Sequence, residues 1–192
     1  MGRIVISENI TLDGVVEDPA GSEGFGRGGW VGRVGERGRN EAAKVLLDEA
    51  LRAEAQLFGR RTYEFLAARW PSRAGALAVR LNDMPKYVVS STLKDPDWNN
   101  STVLAGDAVQ EVSKLKEELG GEIVVAGSIR LVRTLMENDL VDELRLMIYP
   151  VVLGAGERLF GETGENKPMR LVSTKTIGDG LAFLTYEFVR DV

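Results

Sequence analysis

The chain of 192 residues contains no cysteine and no histidine. The first absence removes disulfides, thiolate nucleophiles and thiolate zinc sites together, and it suits a reducing cytoplasm. The second removes the commonest general base and metal ligand. Ser-His-Asp hydrolysis and zinc hydrolysis are therefore excluded, no metal centre is expected, and any proton transfer falls to Asp, Glu, Lys, Tyr or ordered water. Long hydrophobic runs are missing too. Met1-Gly2-Arg3-Ile4-Val5-Ile6 is a short strand-like opening with no apolar stretch behind it, so neither a signal peptide nor a membrane span is expected and the protein reads as cytoplasmic. Positive charge is not in excess: 24 Lys and Arg stand against 29 Asp and Glu, a net charge of -5. The basic residues are scattered, which argues against a nucleic-acid groove or an anionic membrane as partner and leaves a small-molecule substrate.

Glycine is abundant, at 22 residues, and concentrated. The stretch from Gly21 to Gly38 is crowded with it and follows a strand expected from about Arg3 to Asn9 and a turn at Asp13-Gly14. A loop of that length is a binding lid or a surface excursion, and Phe25 and Trp30 favour the lid because large aromatics are costly to leave in water. Asn40 is placed to cap a helix from about Glu41 to Glu54. A short strand then ends at Phe58, a helix runs from Arg61 to about Ala68, Trp70-Pro71 marks a loop, and Lys86 to Ser90 is a strand. Val103-Leu104 is another short strand, Asp107 to Leu119 a helix stopped by Gly120-Gly121, and Glu122 to Ala126 a buried strand. Ser128 opens a helix that ends near Asn138. Leu144, Leu146 and Ile148 alternate with Glu143, Arg145 and Met147 as a half-exposed strand, and Gly178-Asp179-Gly180 joins Arg170 to Ile177 with Leu181 to Arg190 as a hairpin. With 44% hydrophobic and 28% charged residues, the chain suits a single domain over 1–192. Strands and helices alternate until the antiparallel tail. That order predicts an α/β three-layer sandwich with a mainly parallel central sheet and an antiparallel C-terminal hairpin.

Two segments carry an apolar strand straight into a glycine-started helix: Ala55-Gln56-Leu57-Phe58-Gly59-Arg60-Arg61-Thr62 and Ile123-Val124-Val125-Ala126-Gly127-Ser128-Ile129-Arg130. Each has the composition of a phosphate cradle, because glycine admits close approach of a ligand and the first helical turn offers unpaired N–H groups and the positive end of the dipole. Gly59, Arg60, Arg61 and Thr62 would take phosphates on one side, and Ala126, Gly127, Ser128, Ile129, Arg130 and Leu131 on the other. Ser90, Ser91 and Thr92, where a strand ends in hydroxyls, could hydrogen-bond a ribose or its 2′-phosphate. Two cradles suit one ligand with separated phosphates, and the arginines suit a phosphorylated ribose, which points to NADPH and hydride transfer. Asp13, at the end of the first strand beside the lid, is the candidate acid; the competing reading is a turn residue fixed by local geometry. Asn9, Gly14, Trp30 and Glu41 complete the candidate substrate contacts, Trp30 either stacking on a flat heterocycle or burying itself under the loop.

The chain resembles the dihydrofolate-reductase-like superfamily, specifically the branch containing the reductase domain of riboflavin biosynthesis and small stand-alone bacterial relatives. The resemblance runs from Ile4 to about Val189. It rests most on Thr11-Leu12-Asp13-Gly14, Phe58-Gly59-Arg60-Arg61-Thr62-Tyr63-Glu64, Pro85 to Leu93, and Leu140-Val141-Asp142-Glu143-Leu144-Arg145-Leu146 followed by Pro150-Val151-Val152-Leu153-Gly154. It implies that fold, NADPH on the same cradle residues, and a homodimer. Two departures bear on the substrate. Where dihydrofolate reductases carry a helix carboxylate, this chain has Ala43, with Glu41 and Asp48 nearby, which argues against folate. Where riboflavin-pathway reductases commonly have a glutamate before the second cradle, it has Val125. Three functions are open: a stand-alone NADPH reductase of a small heterocycle or carbonyl compound; the 5-amino-6-(5-phosphoribosylamino)uracil reductase, which Arg33, Arg37 or Arg39 as extra phosphate donors would support; and a non-catalytic nucleotide-binding sensor or interaction protein.

Overall fold

A computed structural model describes residues 1–161 and 166–189. In chain order the elements are β1 (Arg3–Thr11), a 3-10 helix (Trp30–Arg33), α1 (Glu36–Arg52), β2 (Ala53–Gly59), α2 (Arg60–Ala67), α3 (Ala76–Asp83) and β3 (Lys86–Val89). Then come β4 (Ser101–Leu104), α4 (Ala108–Glu118), β5 (Glu122–Val125), α5 (Ile129–Glu137), β6 (Glu143–Tyr149), β7 (Met169–Ile177) and β8 (Leu181–Phe188). The strands form one sheet in the order β4-β3-β2-β5-β1-β6-β8-β7. Two compact units divide the chain: Met1–Ile6 with Leu46–Asp142, and Ser7–Val45 with Glu143–Val192. Both β1 and α1 run through the division.

In the first unit every strand pairing is parallel, with Ile4 opposite Ile123, Leu57 opposite Val125, Phe58 opposite Val88 and Val89 opposite Leu104. Parallel strands buried on both faces need largely apolar runs, which 123–125 supplies throughout and β2 supplies in Ala55, Leu57 and Phe58 around the half-buried Gln56. The core gathers Phe58, Tyr63, Leu81, Met84, Val88, Trp98 and Val124, with the Phe58 and Trp98 rings stacked at 6.3 Å. Arg80 finishes α1, donating from Nε to the Ala50 carbonyl at 2.9 Å and from Nη2 to the Ala53 carbonyl at 2.6 Å, so its cation meets the negative end of that helix. Lys86 is fully buried and donates from Nζ to the carbonyls of Asn82, Met84 and Asn99 at 3.2, 2.8 and 2.9 Å, tying the end of α3 to the approach of β4.

The second unit holds the antiparallel strands β6, β8 and β7, registered Leu146 to Leu184 and Ile177 to Leu181. Its core is Val15, Trp30, Met147, Tyr149, Leu153, Leu181 and Phe183. The hairpin stands where the sequence puts it; Arg190, its expected last residue, lies outside the described residues.

Three expectations are corrected. Helix α1 begins at Glu36, not Glu41, so Asn40 is inside the helix rather than its cap. Glycine at 38 serves a close approach there: a Cβ on Gly178 would lie 2.5 Å from the Gly38 Cα, so turn and helix touch backbone to backbone. Helix α3 was not expected at all. Finally, β6 is buried at every position but Ile148, because Glu143 and Arg145, on its supposed solvent face, are themselves buried and bonded to one another through Oε1 and Nε at 2.5 Å. A charged alternation reads as exposure only when the charges are not paired.

Candidate functional site

In the first unit β2 and β5 are neighbours, so the helices that leave their carboxyl ends, α2 and α5, start side by side. Neither helix has a side-chain cap. The contrast is α4, where Asp107 accepts from the amides of Val109 and Gln110 at 3.1 and 3.0 Å. A helix start without a cap leaves first-turn N–H groups to water or to a ligand. Both glycine-started segments of the sequence are therefore brought together as expected, and two bonds lock them: the Gly59 amide donates to Ser128 Oγ at 2.9 Å, and the Ser128 amide donates to Thr62 Oγ1 at 2.9 Å. Gly127 and Ser128 both lie in the left-handed region, at φ 65° and 59°. A Cβ on Gly127 would sit 3.0 Å from Thr62 Cγ2, so position 127 requires glycine on both counts. Ser128 carries its positive φ without that licence, the kind of local strain found at functional sites.

Arg60, Arg61 and Arg130 are exposed around these starts. Arg60 is already held, by Glu64 Oε1 on Nε and by Thr92 Oγ1 on Nη1, both at 2.7 Å. Among the described residues the Arg61 and Arg130 side chains have no polar partner. Ser90 Oγ accepts from the amides of Thr92 and Leu93 at 3.2 and 3.0 Å and fixes the loop after β3, leaving Ser91 exposed. Ala126 and Ile129 are half-buried, while the Leu131 side chain packs into the core.

The remaining candidates belong to the second unit, where Asp13, Trp30 and Glu41 have structural partners. Asp13 accepts from Thr11 Oγ1 at 2.7 Å and from the amides of Leu153 and Gly154 at 3.2 and 2.8 Å. The Thr11 hydroxyl first, then the two amides, hold its carboxyl down at about 2. A carboxyl in that state accepts and does not donate at neutral pH, which fits the turn reading of Asp13 better than the acid. Gly14 takes φ 82° in this turn, and Asn9 is half-buried on β1. Trp30 is 1% exposed, edge-on to Tyr149 at 5.3 Å, and donates from Nε1 to the Glu17 carbonyl at 3.0 Å. Stacking on a substrate is thus corrected: Trp30 is a core residue under the loop. Glu41 accepts from the Gly178 amide at 2.7 Å and from Arg37 at 3.0 Å, bracing α1 against the hairpin turn.

One organising residue escaped the sequence reading. Asp18, 3% exposed and at φ 44°, accepts on its carboxylate from the amides of Ser22, Glu23 and Phe25 at 2.8, 3.0 and 3.1 Å. Its backbone carbonyl takes Gly21 and Gly29. Residues 21–29 of the glycine-rich stretch are accordingly wound around Asp18, the rest entering the 3-10 helix and α1, and Asp-Pro-Ala-Gly at 18–21 is the turn signature that points to it.

Comparisons with known proteins agree with this fold. Two Bacillus subtilis (strain 168) proteins of uncharacterised function are similar over nearly their whole length: YyaP, 28% identical with 97% of this chain and 95% of that protein covered, and YwjB, 27% identical with 93% and 94% covered. Among solved structures, a Shewanella sp. PV-4 protein named for riboflavin biosynthesis matches with a TM-score of 0.77 at 20% identity, covering 98% of this chain and 99% of that one. A pyrimidine reductase-like protein of Corynebacterium diphtheriae matches at 0.64 and 17%, covering 98% and 92%. The RibD C-terminal domain family matches residues 3–183, and the chain belongs to that family.

Proposed function

We propose that the protein is an NADPH-dependent reductase of a small heterocyclic or carbonyl substrate. One observation carries the reading: two uncapped helix starts, before α2 and α5, locked side by side on neighbouring parallel strands and ringed by exposed arginines. Anions bind where helix dipoles and free N–H groups converge, and the crevice at strand carboxyl ends is the usual dinucleotide position in open parallel sheets. The donor set fits NADPH. Thr62 and Ser128 bring hydroxyls to the two helix starts, and Arg61 is an unspent bidentate donor suited to a 2′-phosphate. Membership of the RibD C-terminal domain family supports a reductase-type activity.

NADPH, when bound, supplies a hydride. Gly59 to Thr62, Ser90 to Thr92 and Ala126 to Leu131 would hold and orient it. The accompanying proton comes from water in this reading, because the chain has no histidine and Asp13 is kept ionised. The family also raises the ribosylaminouracil reductase of riboflavin biosynthesis as a second reading. Its phosphate would need donors outside the cradles. Arg37 is engaged by Glu41 and Asp179, and Arg39 by the carbonyls of Gly32 and Val34, which leaves Arg33 of the three and favours a substrate without a phosphate. A cytoplasmic homodimer completes the proposal, with β7, the antiparallel one of the sheet's two outer strands, as the contact.

The test is calorimetric titration with NADPH and NADH of the wild type and of Arg61→Ala, followed by loss of NADPH absorbance with pyrimidine and carbonyl acceptors. Preference for NADPH that shrinks roughly tenfold or more in the variant, as loss of a charge-assisted bond implies, supports the reading. Binding of neither nucleotide overturns it and favours a non-catalytic interaction protein.

A further inference from the structure

We infer that Thr62 and Ser128 act as one positioning unit, a reciprocal interlock that sets the spacing of the two phosphate cradles; the inference rests on the NADPH reading above. Thr62 is in the first turn of α2 and Ser128 immediately precedes α5. Each of the two hydroxyls accepts a backbone N–H from the opposite cradle, Ser128 Oγ from Gly59 and Thr62 Oγ1 from Ser128, both at 2.9 Å. Two bonds in opposite directions fix both the separation and the rotation of one helix start against the other.

The chemistry goes further than bracing. A hydroxyl that accepts one N–H keeps its own O–H to donate, and an accepted bond polarises that O–H. Thr62 and Ser128 therefore each retain a donor for a phosphate oxygen. The Gly59 and Ser128 amides, in exchange, are committed to the protein. Phosphate oxygens are met by two hydroxyls and by the later first-turn amides, from Arg60 onward in α2 and from Ile129 onward in α5. Ser128 holds φ 59° and Gly127 φ 65° to make this possible. A serine is a poorer occupant of that conformation than glycine, so the hydroxyl is the reason for serine at 128.

The experiment combines amide hydrogen exchange on the ligand-free protein with NADPH affinity for the wild type, Thr62→Val, Thr62→Ser, Ser128→Gly and the double variant Thr62→Val/Ser128→Gly. Without ligand, the Gly59 and Ser128 amides should be protected, Thr62→Val should release the Ser128 amide, and Ser128→Gly should release the Gly59 amide. Each of Thr62→Val and Ser128→Gly should weaken NADPH about 10-fold. The double variant should lose more than the worse single, because each hydroxyl's own donor goes separately, but less than the product of the two singles, because either change already opens the interlock. Thr62→Ser, which keeps the hydroxyl, should stay close to wild type. Ser128→Gly is the discriminating case: relief of the positive φ should leave thermal stability equal or higher while affinity falls, whereas a merely structural hydroxyl would leave affinity unchanged. Wild-type binding with unaltered affinity in both single variants, or losses that multiply in the double variant, overturns the interlock and leaves the NADPH reading standing. Absence of NADPH binding by the wild type overturns both.

Discussion

Asp13 and Lys86 are charged groups whose titration the fold moves, and the two shifts act on stability with opposite sign. The Thr11 hydroxyl and the Leu153 and Gly154 amides hold the Asp13 carboxyl at about 2, below its ordinary 3.8. A carboxyl lowered on folding stabilises the protein above its unfolded value, and that contribution is lost as pH falls from about 4 toward 2. The wild type should therefore melt higher than Asp13→Asn at pH 6, with the gap closing below pH 4, while reductase rates near neutral pH show no titration attributable to residue 13. For Lys86, burial pushes the ammonium down to about 8 from 10.5. Here the folded state binds the proton less tightly than the unfolded state does. The penalty is complete below pH 8 and is relieved as pH rises from about 8 to 10.5. Lys86→Met leaves three buried carbonyls without their donor and should cost about 3 kcal/mol at pH 7. Denaturation of the two proteins at pH 7 and pH 9.5 should show the wild type's advantage increasing with pH; a constant or shrinking advantage would contradict the buried-ammonium account.

Helix starts separate structural from functional duty. Asp107 caps α4 through two amides, and Asp107→Ala should cost about 1 kcal/mol in urea denaturation with NADPH affinity unchanged. Glycine at 127 should tolerate nothing larger: with φ 65° and Thr62 Cγ2 at 3.0 Å from an added Cβ, Gly127→Ala should both destabilise and abolish binding. These starts were legible in the sequence because an apolar run ending in glycine, before a helical stripe, is a local signal. Helix α3 was not, since its eight residues lie between Pro71, Gly75 and Pro85 and read as loop. Leu77, Ala78 and Leu81, with a proline just beyond, were the available clue. The early start of α1 was hidden for a different reason: its Gly38 answers to the distant turn at Gly178, and a long-range contact leaves no local trace.

At the scale of the whole chain, the alternation of strands and helices was enough to give a mainly parallel sheet with an antiparallel C-terminal hairpin, because each strand's apolar content reports how many of its faces are covered. Side-chain roles were less legible. Trp30 and Glu41 have the residue types of a binding site, yet their partners, Tyr149 and Gly178, lie more than a hundred residues away and only folding reveals that they are spoken for. The sheet leaves β7 as an edge, with Leu171 and Val172 each 49% exposed. Exposed apolar edges invite pairing. Sedimentation equilibrium should give twice the 21.0 kDa chain mass, and Val172→Lys should shift the species toward the monomer; a wild-type monomer at high micromolar concentration would exclude that contact.

The most direct measurement is a titration of NADPH into ¹⁵N-labelled protein, following the backbone amides of Arg60, Arg61 and Thr62 together with those of Ile129, Arg130 and Leu131. Both sets should shift along a single binding curve, as expected if α2 and α5 grip one dinucleotide. Movement of one set alone, or of neither, would contradict a shared cofactor site.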